Sequence, residues 1–328
     1  MGTPVALGKT LQKSGVDVNA FFPSATTIHV GDSVKFVPVG FHTANFPKRG
    51  AKAAGLISKS GTAAANSSDA AGAPFWFNGQ PNYGFNPVLF KGLFGKSATY
   101  TGAKDVNTGL PLSNKPKPAT IKFTKAGSFT YYCSVHPGMK GTVRVVAKTK
   151  SVPSAKADAA RVASQIAAAK KTAKALPQTK PAANSVVVGP QGKGGTEYLG
   201  FAPGSLSVAP GTTVTFSMST AGYDEHTVTF GPGDPEQAST YLGKLAASFN
   251  GAPTFDPAAI YPSDPPSTTA TLNPSLHGNG FWNAGVLFGG GHAPAGFQSF
   301  RRVTFDTPGT YTYYCLIHPF MKGTVTVK

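Results

Sequence analysis

The chain has 328 residues, of which 40% are hydrophobic and 13% are charged, and its formal net charge is +17 at pH 7. This length is enough for two domains, and no run of 18 apolar residues is present, which excludes a membrane-spanning helix of the usual kind. The basic residues are not organised around a nucleic-acid-binding motif, so we expect no nucleic-acid partner.

The positive charge is unevenly distributed. Residues 1–148 contain 17 basic and 4 acidic residues, residues 149–184 contain 7 and 1, and residues 185–328 contain 6 and 8. A basic region attracts acidic proteins or anionic surfaces. We therefore expect the first half to meet a partner with an acidic docking surface, or to associate with an anionic cell surface.

The first part of the chain, 1–148, contains a strand-like segment at 31–36, then His42, and much later a segment at 131–143 that reads YYCSVHPGMKGTV. The alternation before Cys133 indicates that this cysteine ends a β-strand. We expect Gly141 here, and Gly323 later in the chain, to provide the turn that leads into the last strand.

The segment 149–184 is predicted to be a linker that contains one helix. Residues 154–176 are rich in Ala and Lys, and they are almost free of Gly, Pro and β-branched residues. Apolar residues recur there at helical spacing, and Pro153 and Pro177 bound the run. We predict a helix at about 154–176 whose apolar stripe packs on a domain, with a free spacer as the alternative.

The second part, 185–328, repeats the pattern of the first. It contains a strand-like segment at 211–216, then His226, and finally residues 313–325, which read YYCLIHPFMKGTV. Each of the two repeats therefore presents Cys-x2-His-x2-Met, and these two motifs contain the only cysteines of the chain.

Each repeat also contains a long insertion between its first histidine and its cysteine, at about 47–118 and about 231–298. The histidine-to-cysteine separation is 91 residues in the first repeat and 89 in the second. Both insertions are rich in Gly, Pro, Ala, Ser and aromatic residues. Long loops in compact domains are usually functional or disordered, and the aromatic residues argue against disorder. We expect the insertions to cover a sheet or border the cysteine-bearing end, or simply to enlarge the core.

These residue types predict two metal sites. A thiolate, two imidazoles and a weak thioether form the ligand set of a blue-copper site. A zinc site would require more Cys or His, whereas buried structural cysteines or a disulfide between the two cysteines are simpler alternatives. The predicted ligands are His42, Cys133, His136 and Met139 for the first site, and His226, Cys315, His318 and Met321 for the second.

On these motifs the chain resembles the cupredoxin family, with ligand loops similar to those of amicyanin and plastocyanin. The resemblance implies an all-β fold of two Greek-key β-sandwiches joined by a helical linker. It also implies two type 1 copper ions per chain, redox partner proteins, and the eight ligands given above. Family members generally act outside the cytoplasm, so we expect a periplasmic or extracellular location. Met1-Gly2-Thr3-Pro4 is not a signal peptide, and we expect that a leader has been removed.

Three positions near the ligands differ from the usual family pattern or between the repeats. Thr43 and Thr227 follow the first histidines, where many relatives have Asn, and we expect their hydroxyls to tie this loop to the cysteine loop. Leu316 and Phe320 of the second repeat replace smaller residues of the first. We expect them to make the second site drier and to raise its reduction potential.

Two other functions are compatible with the same resemblance. A two-domain oxidase or nitrite-reductase-like enzyme would need a further histidine-rich copper site, for which only His29, His277 and His292 remain. A copper storage or delivery protein would present exposed Met, His or Cys clusters, whereas this chain has 4 Met. Electron transfer without catalysis is the function that the sequence favours.

Overall fold

The computed structural model describes residues 15–328 except 221, 252, 292 and 295. β-Strands are the main regular structure of the described chain, which divides into two compact units. Unit 1 comprises the described residues of Met1–Leu56, together with Asn86–Lys174 and Gly192–Glu197. Unit 2 comprises Ile57–Phe85, Ala175–Gln191 and Tyr198–Lys328. The prediction of an all-β protein with two β-sandwiches and a helical linker is confirmed.

Unit 1 is built from two sheets around one core. The five-stranded sheet has the order β2-β11-β10-β4-β8, and the three-stranded sheet has the order β3-β9-β7. Alternate residues of the long strands are buried, as the period of two in a strand requires. The strands of unit 1 are β1 Val16–Val18, β2 Ala25–His29, β3 Ser33–Phe36, β4 Asn45–Phe46, β7 Ser97–Tyr100, β8 Val106–Asn107, β9 Ala119–Phe123, β10 Gly127–Tyr132 and β11 Lys140–Val146.

The predicted helix forms α1, Ala155–Ala173, and belongs to unit 1. The Ser154 side chain caps its first turn by accepting a hydrogen bond from the Ala157 N–H at 3.2 Å. Ile166 and the buried Ala169 pack against Val18. The apolar stripe of the helix therefore packs on a domain, as predicted.

Unit 2 contains a sheet that matches the five-stranded sheet of unit 1. Its order is β15-β24-β23-β18-β20, and a second five-stranded sheet has the order β14-β12-β16-β22-β19. In both units the strand that precedes the cysteine pairs antiparallel with the last strand, which pairs parallel with an early strand.

The remaining strands and α-helices belong to unit 2, except β13, which includes residues of both units. Short 3₁₀ helices lie at Pro87–Phe90, Leu176–Gln178, Lys193–Gly195 and Leu276–Gly278. The strands and helices are β5 Ile57–Ala63, β6 Pro81–Phe85, β12 Ser185–Val188, β13 Thr196–Tyr198, β14 Phe201–Ala202, β15 Ser205–Val208, β16 Thr212–Met218, β17 Glu225–His226, β18 Thr229–Phe230, β19 Ala270–Leu272, β20 Trp282–Asn283, β21 Leu287–Phe288, β22 Phe300–Phe305, β23 Gly309–Tyr314 and β24 Lys322–Val327, with α2 Tyr241–Ala247 and α3 Pro257–Ile260.

A second hydrophobic cluster in unit 2 is formed largely by the insertions. It includes Phe77 of the segment Ile57–Phe85, Tyr261 of the second insertion, and Leu316, the residue after Cys315. The rings of Phe77 and Tyr261 are stacked with their centroids 5.6 Å apart. The insertions therefore fold into an apolar layer that contacts the cysteine loop of the second repeat, which agrees with one of the two roles expected for them.

The repeat boundaries at 148 and 184 remain a prediction about how the sequence is organised. The compact units follow another division, because Ile57–Phe85 lies within the first repeat but belongs to unit 2. Amino-acid composition alone contains no signal for this assignment.

Gly141 and Gly323 have a different role from the expected one. Both lie inside strands, opposite Tyr131 and Tyr313 in the β-ladder. A Cβ atom at either glycine would come within 2.4 Å of the Cζ atom of the opposite tyrosine. The glycines are therefore required by the close approach of a buried ring, and the prediction that they form the turn was wrong.

Candidate metal centres

The first site lies at one end of the unit 1 core, where β10 ends. The Nδ1 atoms of His42 and His136 are 2.9 Å apart. The Cys133 Sγ atom lies 3.9 Å from the first of these nitrogens and 3.5 Å from the second. All three side chains are buried. Three of the four predicted ligands thus direct their donor atoms toward a common point.

The second site has the same arrangement in unit 2. The Nδ1 atoms of His226 and His318 are 3.2 Å apart, and the Cys315 Sγ atom lies 3.7 and 3.8 Å from them. His226 and Cys315 are fully buried, whereas the His318 side chain is 19% exposed. The sequence repeat is therefore also a repeat of geometry.

The methionines lie beside these groups because the ligand loops close on themselves. In the first loop the Cys133 N–H donates to the Met139 carbonyl at 2.9 Å, and the Met139 N–H donates to the His136 carbonyl at 2.9 Å. Cys315, Met321 and His318 make the same two bonds at 3.1 and 2.8 Å. Both methionines are only 1% exposed and lie in the same core clusters as the cysteines. Each loop therefore holds Cys, His and Met together.

The threonines that follow the first histidines tie the loops together, as predicted. The Thr43 Oγ1 atom accepts a hydrogen bond from the Ser134 N–H, and the Thr227 Oγ1 atom accepts one from the Leu316 N–H, both at 2.7 Å. The backbone N–H of each threonine also points at the cysteine Sγ at 3.4 Å. Such contacts around a ligand fix its orientation.

The surroundings favour the thiolate form of both cysteines. Burial raises the pKa of the Cys133 thiol, but the charge and hydrogen bonds of His136 and His42 outweigh burial and hold that pKa well below its ordinary value. Burial also raises the pKa of the Cys315 thiol, but the hydrogen bonds to His226 and His318 outweigh burial and lower the pKa to about 5. The thiolate is the form that binds metal.

The dimensions of the second site suit a single metal ion. Transition-metal ions bind imidazole nitrogen at about 2.0 Å and thiolate sulfur at about 2.3 Å, so three such ligands in a plane lie roughly 3.5–3.7 Å apart. The separations in the second site, 3.2, 3.7 and 3.8 Å, are close to these values. In the first site the two nitrogens approach more closely. A thiolate and a thioether with two imidazoles form a donor set that favours copper.

Sequence reasoning missed one charged residue at the second site. The Asp224 Oδ2 atom lies 3.4 Å from the His318 Nε2 atom, and only 11% of the Asp224 side chain is exposed. Gly40 occupies the equivalent position in the first repeat, two residues before the first histidine. An acidic residue this close to a predicted ligand, in a chain with few acidic residues, was the available signal.

The histidines outside the two sites lie in other environments. His29 is the last residue of β2, as expected of a strand residue, and its Nε2 atom lies 2.8 Å from the Lys150 carbonyl oxygen. The two ring nitrogens of His277 face Asp69 at 3.1 Å and Asp264 at 3.4 Å. His292 lies outside the described residues.

Comparisons with known proteins agree with the copper assignment. The sequence model of the family described as "Copper binding proteins, plastocyanin/azurin family" matches residues 293–328. No curated protein gives a significant match.

Solved structures that match include amicyanin from Paracoccus versutus, with 18% identity, 46% of this chain and 88% of that chain covered, and a TM-score of 0.24. Oxidized plastocyanin from Dryopteris crassirhizoma matches with 25% identity, 44% and 99% coverage, and a TM-score of 0.22. The purple cupredoxin from Nitrosopumilus maritimus matches with 17% identity, 44% and 98% coverage, and a TM-score of 0.19. The family assignment therefore rests on the sequence match and the ligand pattern, and not on these superpositions.

The family match covers Cys315, His318 and Met321 and ends at the last residue of the chain. The same arrangement of one cysteine and two histidines recurs in unit 1. Residues 293–328 therefore match the copper-binding plastocyanin/azurin family, and the ligand pattern of both repeats is similar to that of cupredoxins.

Proposed function

We propose that the chain is an electron-transfer protein with two type 1 copper centres, one in each repeat, that alternate between Cu(II) and Cu(I). The main support is that each repeat brings one buried cysteine and two histidines to a common point, with a buried methionine in the same loop. The ligands of the first centre are His42, Cys133, His136 and Met139, and those of the second are His226, Cys315, His318 and Met321.

The protein's part in this function is to hold the ligands still. Copper supplies the one-electron chemistry, and transfer is fast when the ligands move little between the two oxidation states. Thr43 and Thr227 join the loop of the first histidine to the cysteine loop in each unit. The backbone hydrogen bonds around Met139 and Met321 close the ligand loops. These contacts support a rigid site that suits both states.

A copper enzyme is the first alternative. It would need a further copper site, but His29 is bonded to a backbone carbonyl and His277 lies between two carboxylates. Neither lies in a histidine cluster within the described part of the chain. Copper storage or delivery is the second alternative, and the burial of Met139 and Met321 argues against it.

The partners are expected to be redox proteins. The excess of basic residues in 1–148 suits a partner with an acidic docking surface, or association with an anionic cell surface. In the described chain, no helix is both long and apolar enough to cross a membrane. We place the protein in the periplasm or outside the cell, where cupredoxins generally act.

A copper titration tests the proposal. The protein without metal is titrated with Cu(II) while visible absorption is recorded, and the loaded protein is then reduced stepwise. We expect two intensely coloured coppers per chain that each accept one electron. A third, weakly coloured copper with oxidase or nitrite-reducing turnover would favour the enzyme, and colourless binding of many Cu(I) ions would favour storage.

A further inference from the structure

The two sites differ in one charged contact. In the second site the Asp224 carboxylate lies 3.4 Å from His318 Nε2. In the first repeat the equivalent residue is Gly40, whose φ is +76° and which has no side chain. A Cβ atom at Gly40 would meet the His42 ring at 3.2 Å. A side chain at this position of the first loop would therefore be strained and would crowd the His42 ring.

The contact involves the ring nitrogen of His318 that faces away from the site. The His318 Nδ1 atom is the one that points at Cys315 and His226. A carboxylate beside the outer nitrogen favours the tautomer in which that nitrogen carries the proton, so the inner nitrogen stays unprotonated and the ring orientation is fixed. Both side chains are mostly buried, at 11% exposure for Asp224 and 19% for His318, so water screens the interaction only weakly.

We propose that Asp224 is a positioning residue that holds His318 for copper and, through its negative charge, lowers the reduction potential of the second site. This inference rests on the proposed copper function. A fixed negative charge beside a ligand favours Cu(II) over Cu(I), because the oxidised ion carries the larger positive charge. Position 224 thereby makes two otherwise similar sites unequal.

The charge of Asp224 lowers the reduction potential of the second site, whereas the apolar surroundings of that site raise it. Leu316 is buried in an apolar cluster, which disfavours the more highly charged Cu(II), although Phe320 is 56% exposed and contributes less than the sequence suggested. The order of the two potentials therefore reports a balance of effects. A substitution of Asp224 alone isolates the effect of the carboxylate.

The test uses the full-length copper-loaded chain in a Cys133→Ala background, so that only the second site is observed. The variants are Asp224→Asn, which keeps the shape and removes the charge, and Asp224→Glu, which keeps the charge. Asp306→Asn is the control, because it removes an exposed carboxylate from the same unit. The measurements are the reduction potential and the affinities for Cu(II) and Cu(I) by competition with chelators.

We expect Asp224→Asn to lower the affinity for Cu(II) relative to that for Cu(I) about tenfold, as is usual for partners of metal ligands. That change raises the reduction potential by about 59 mV for a one-electron couple. Asp224→Glu should restore part of the difference, and Asp306→Asn should change nothing.

Equal losses of Cu(I) and Cu(II) affinity, or a potential equal to that of the control, would overturn the inference and leave the copper function intact. If the Cys133→Ala parent itself bound no blue copper, both proposals would fall. Because the two affinities are measured separately, a variant with weakened copper binding still gives a decisive result.

Discussion

The Nδ1 atom of His277 lies 3.1 Å from the Oδ2 atom of Asp69, although the two residues are 208 positions apart in the chain. Asp69 belongs to the segment Ile57–Phe85, and both residues are part of unit 2. The other ring nitrogen of His277 faces Asp264 at 3.4 Å. His277, which lies between two carboxylates, therefore links the segment Ile57–Phe85 of the first repeat to the rest of unit 2.

This contact predicts a pH-dependent stability of unit 2. The nearby Asp264 carboxylate is the main cause that raises the pKa of His277, burial lowers it, and Asp69 raises it further, so that the net pKa exceeds the ordinary 6.5. A raised pKa in the folded state means that this contribution is complete below about pH 6.5 and is lost as the pH rises through the folded pKa. Chemical unfolding of the metal-free protein at a series of pH values should show this loss, and His277→Asn should remove it.

Protonation of Asp69 sets the lower pH limit at which the same contact stabilises unit 2. Burial raises the pKa of its carboxyl, but the hydrogen bonds from His277, Ala73 and Ala71 outweigh burial and lower the pKa below the ordinary 3.8. Its contribution is therefore present above about pH 3.8 and is lost as the pH falls through the folded pKa. His29→Asn is the matched control, because His29 belongs to unit 1 and its side chain is 28% exposed. A His277→Asn profile parallel to that of the wild type from pH 5 to 9 would contradict the prediction.

The two proposed copper centres should be independently removable. Each unit contains its own cysteine and two histidines, so Cys133→Ala and Cys315→Ala should each abolish one blue absorption and leave the other. Visible absorption and copper content of the folded variants check this. Loss of both centres in one folded variant would mean that ligands are shared between repeats.

The hydroxyls of Thr43 and Thr227 should stabilise the cysteine loops. Thr227→Val keeps the shape of the side chain but leaves the buried Leu316 N–H without its 2.7 Å acceptor. A buried donor that loses its partner costs about 1–3 kcal/mol. We expect a loss of this size in the free energy of unfolding and a weaker affinity for copper, both restored in Thr227→Ser. The exposed Thr310→Val serves as control, and equal effects at the two positions would contradict the prediction.

Gly141 and Gly323, which lie opposite Tyr131 and Tyr313, should not tolerate a larger residue without loss of stability. In Gly323→Ala the new methyl group would lie 2.4 Å from the Cζ atom of Tyr313, which is fully buried and cannot move away freely. Overpacking of this kind costs about 1–3 kcal/mol. At the control position, Gly204, the nearest atom would be 3.8 Å from the Cβ atom. We expect thermal unfolding to give a lower melting temperature for Gly323→Ala than for Gly204→Ala. Similar melting temperatures would show that the strands separate to accept the methyl group.

The segment Ile57–Phe85 should stabilise the second centre more than the first. Phe77 is fully buried in the unit 2 cluster that contains Leu316. Phe77→Ala should cost about 3–5 kcal/mol, as is usual for a buried aromatic residue. Unfolding followed through each blue centre, in the Cys133→Ala and Cys315→Ala backgrounds, should show the loss at the second centre. Phe90→Ala, at a half-exposed position of unit 1, is the control, and equal losses at both centres would contradict the assignment of this segment.

The grouping of the candidate ligands could be predicted because most of them lie in a short segment whose chemistry is local. Cys133, His136 and Met139 are joined by one loop, and its repetition at 315–321 removes most of the ambiguity. The strands were predictable from the alternation of buried residues, and the helix from its caps and composition. The role of Thr43 was predictable because it adjoins a ligand.

The features that could not be predicted depend on contacts between residues that are distant in the sequence. The approach of Asp224 to His318 and that of Asp69 to His277 join residues that no periodicity relates. The ring of Tyr131 over Gly141 becomes evident only once the register of two strands is known. Long-range pairing of this kind is determined by packing, and a single sequence does not reveal it.

The assignment of Ile57–Phe85 to unit 2 limits how the protein can be divided. A fragment that starts after the linker would contain all four ligands of the second centre, but it would lack the rings of Phe77 and Tyr83 that pack in the cluster containing Leu316. Such a fragment would expose an apolar surface next to its ligand loop and would tend to aggregate. The two halves of this chain are therefore not interchangeable modules, and a shortened protein that keeps only the second centre must also keep the segment from the first repeat.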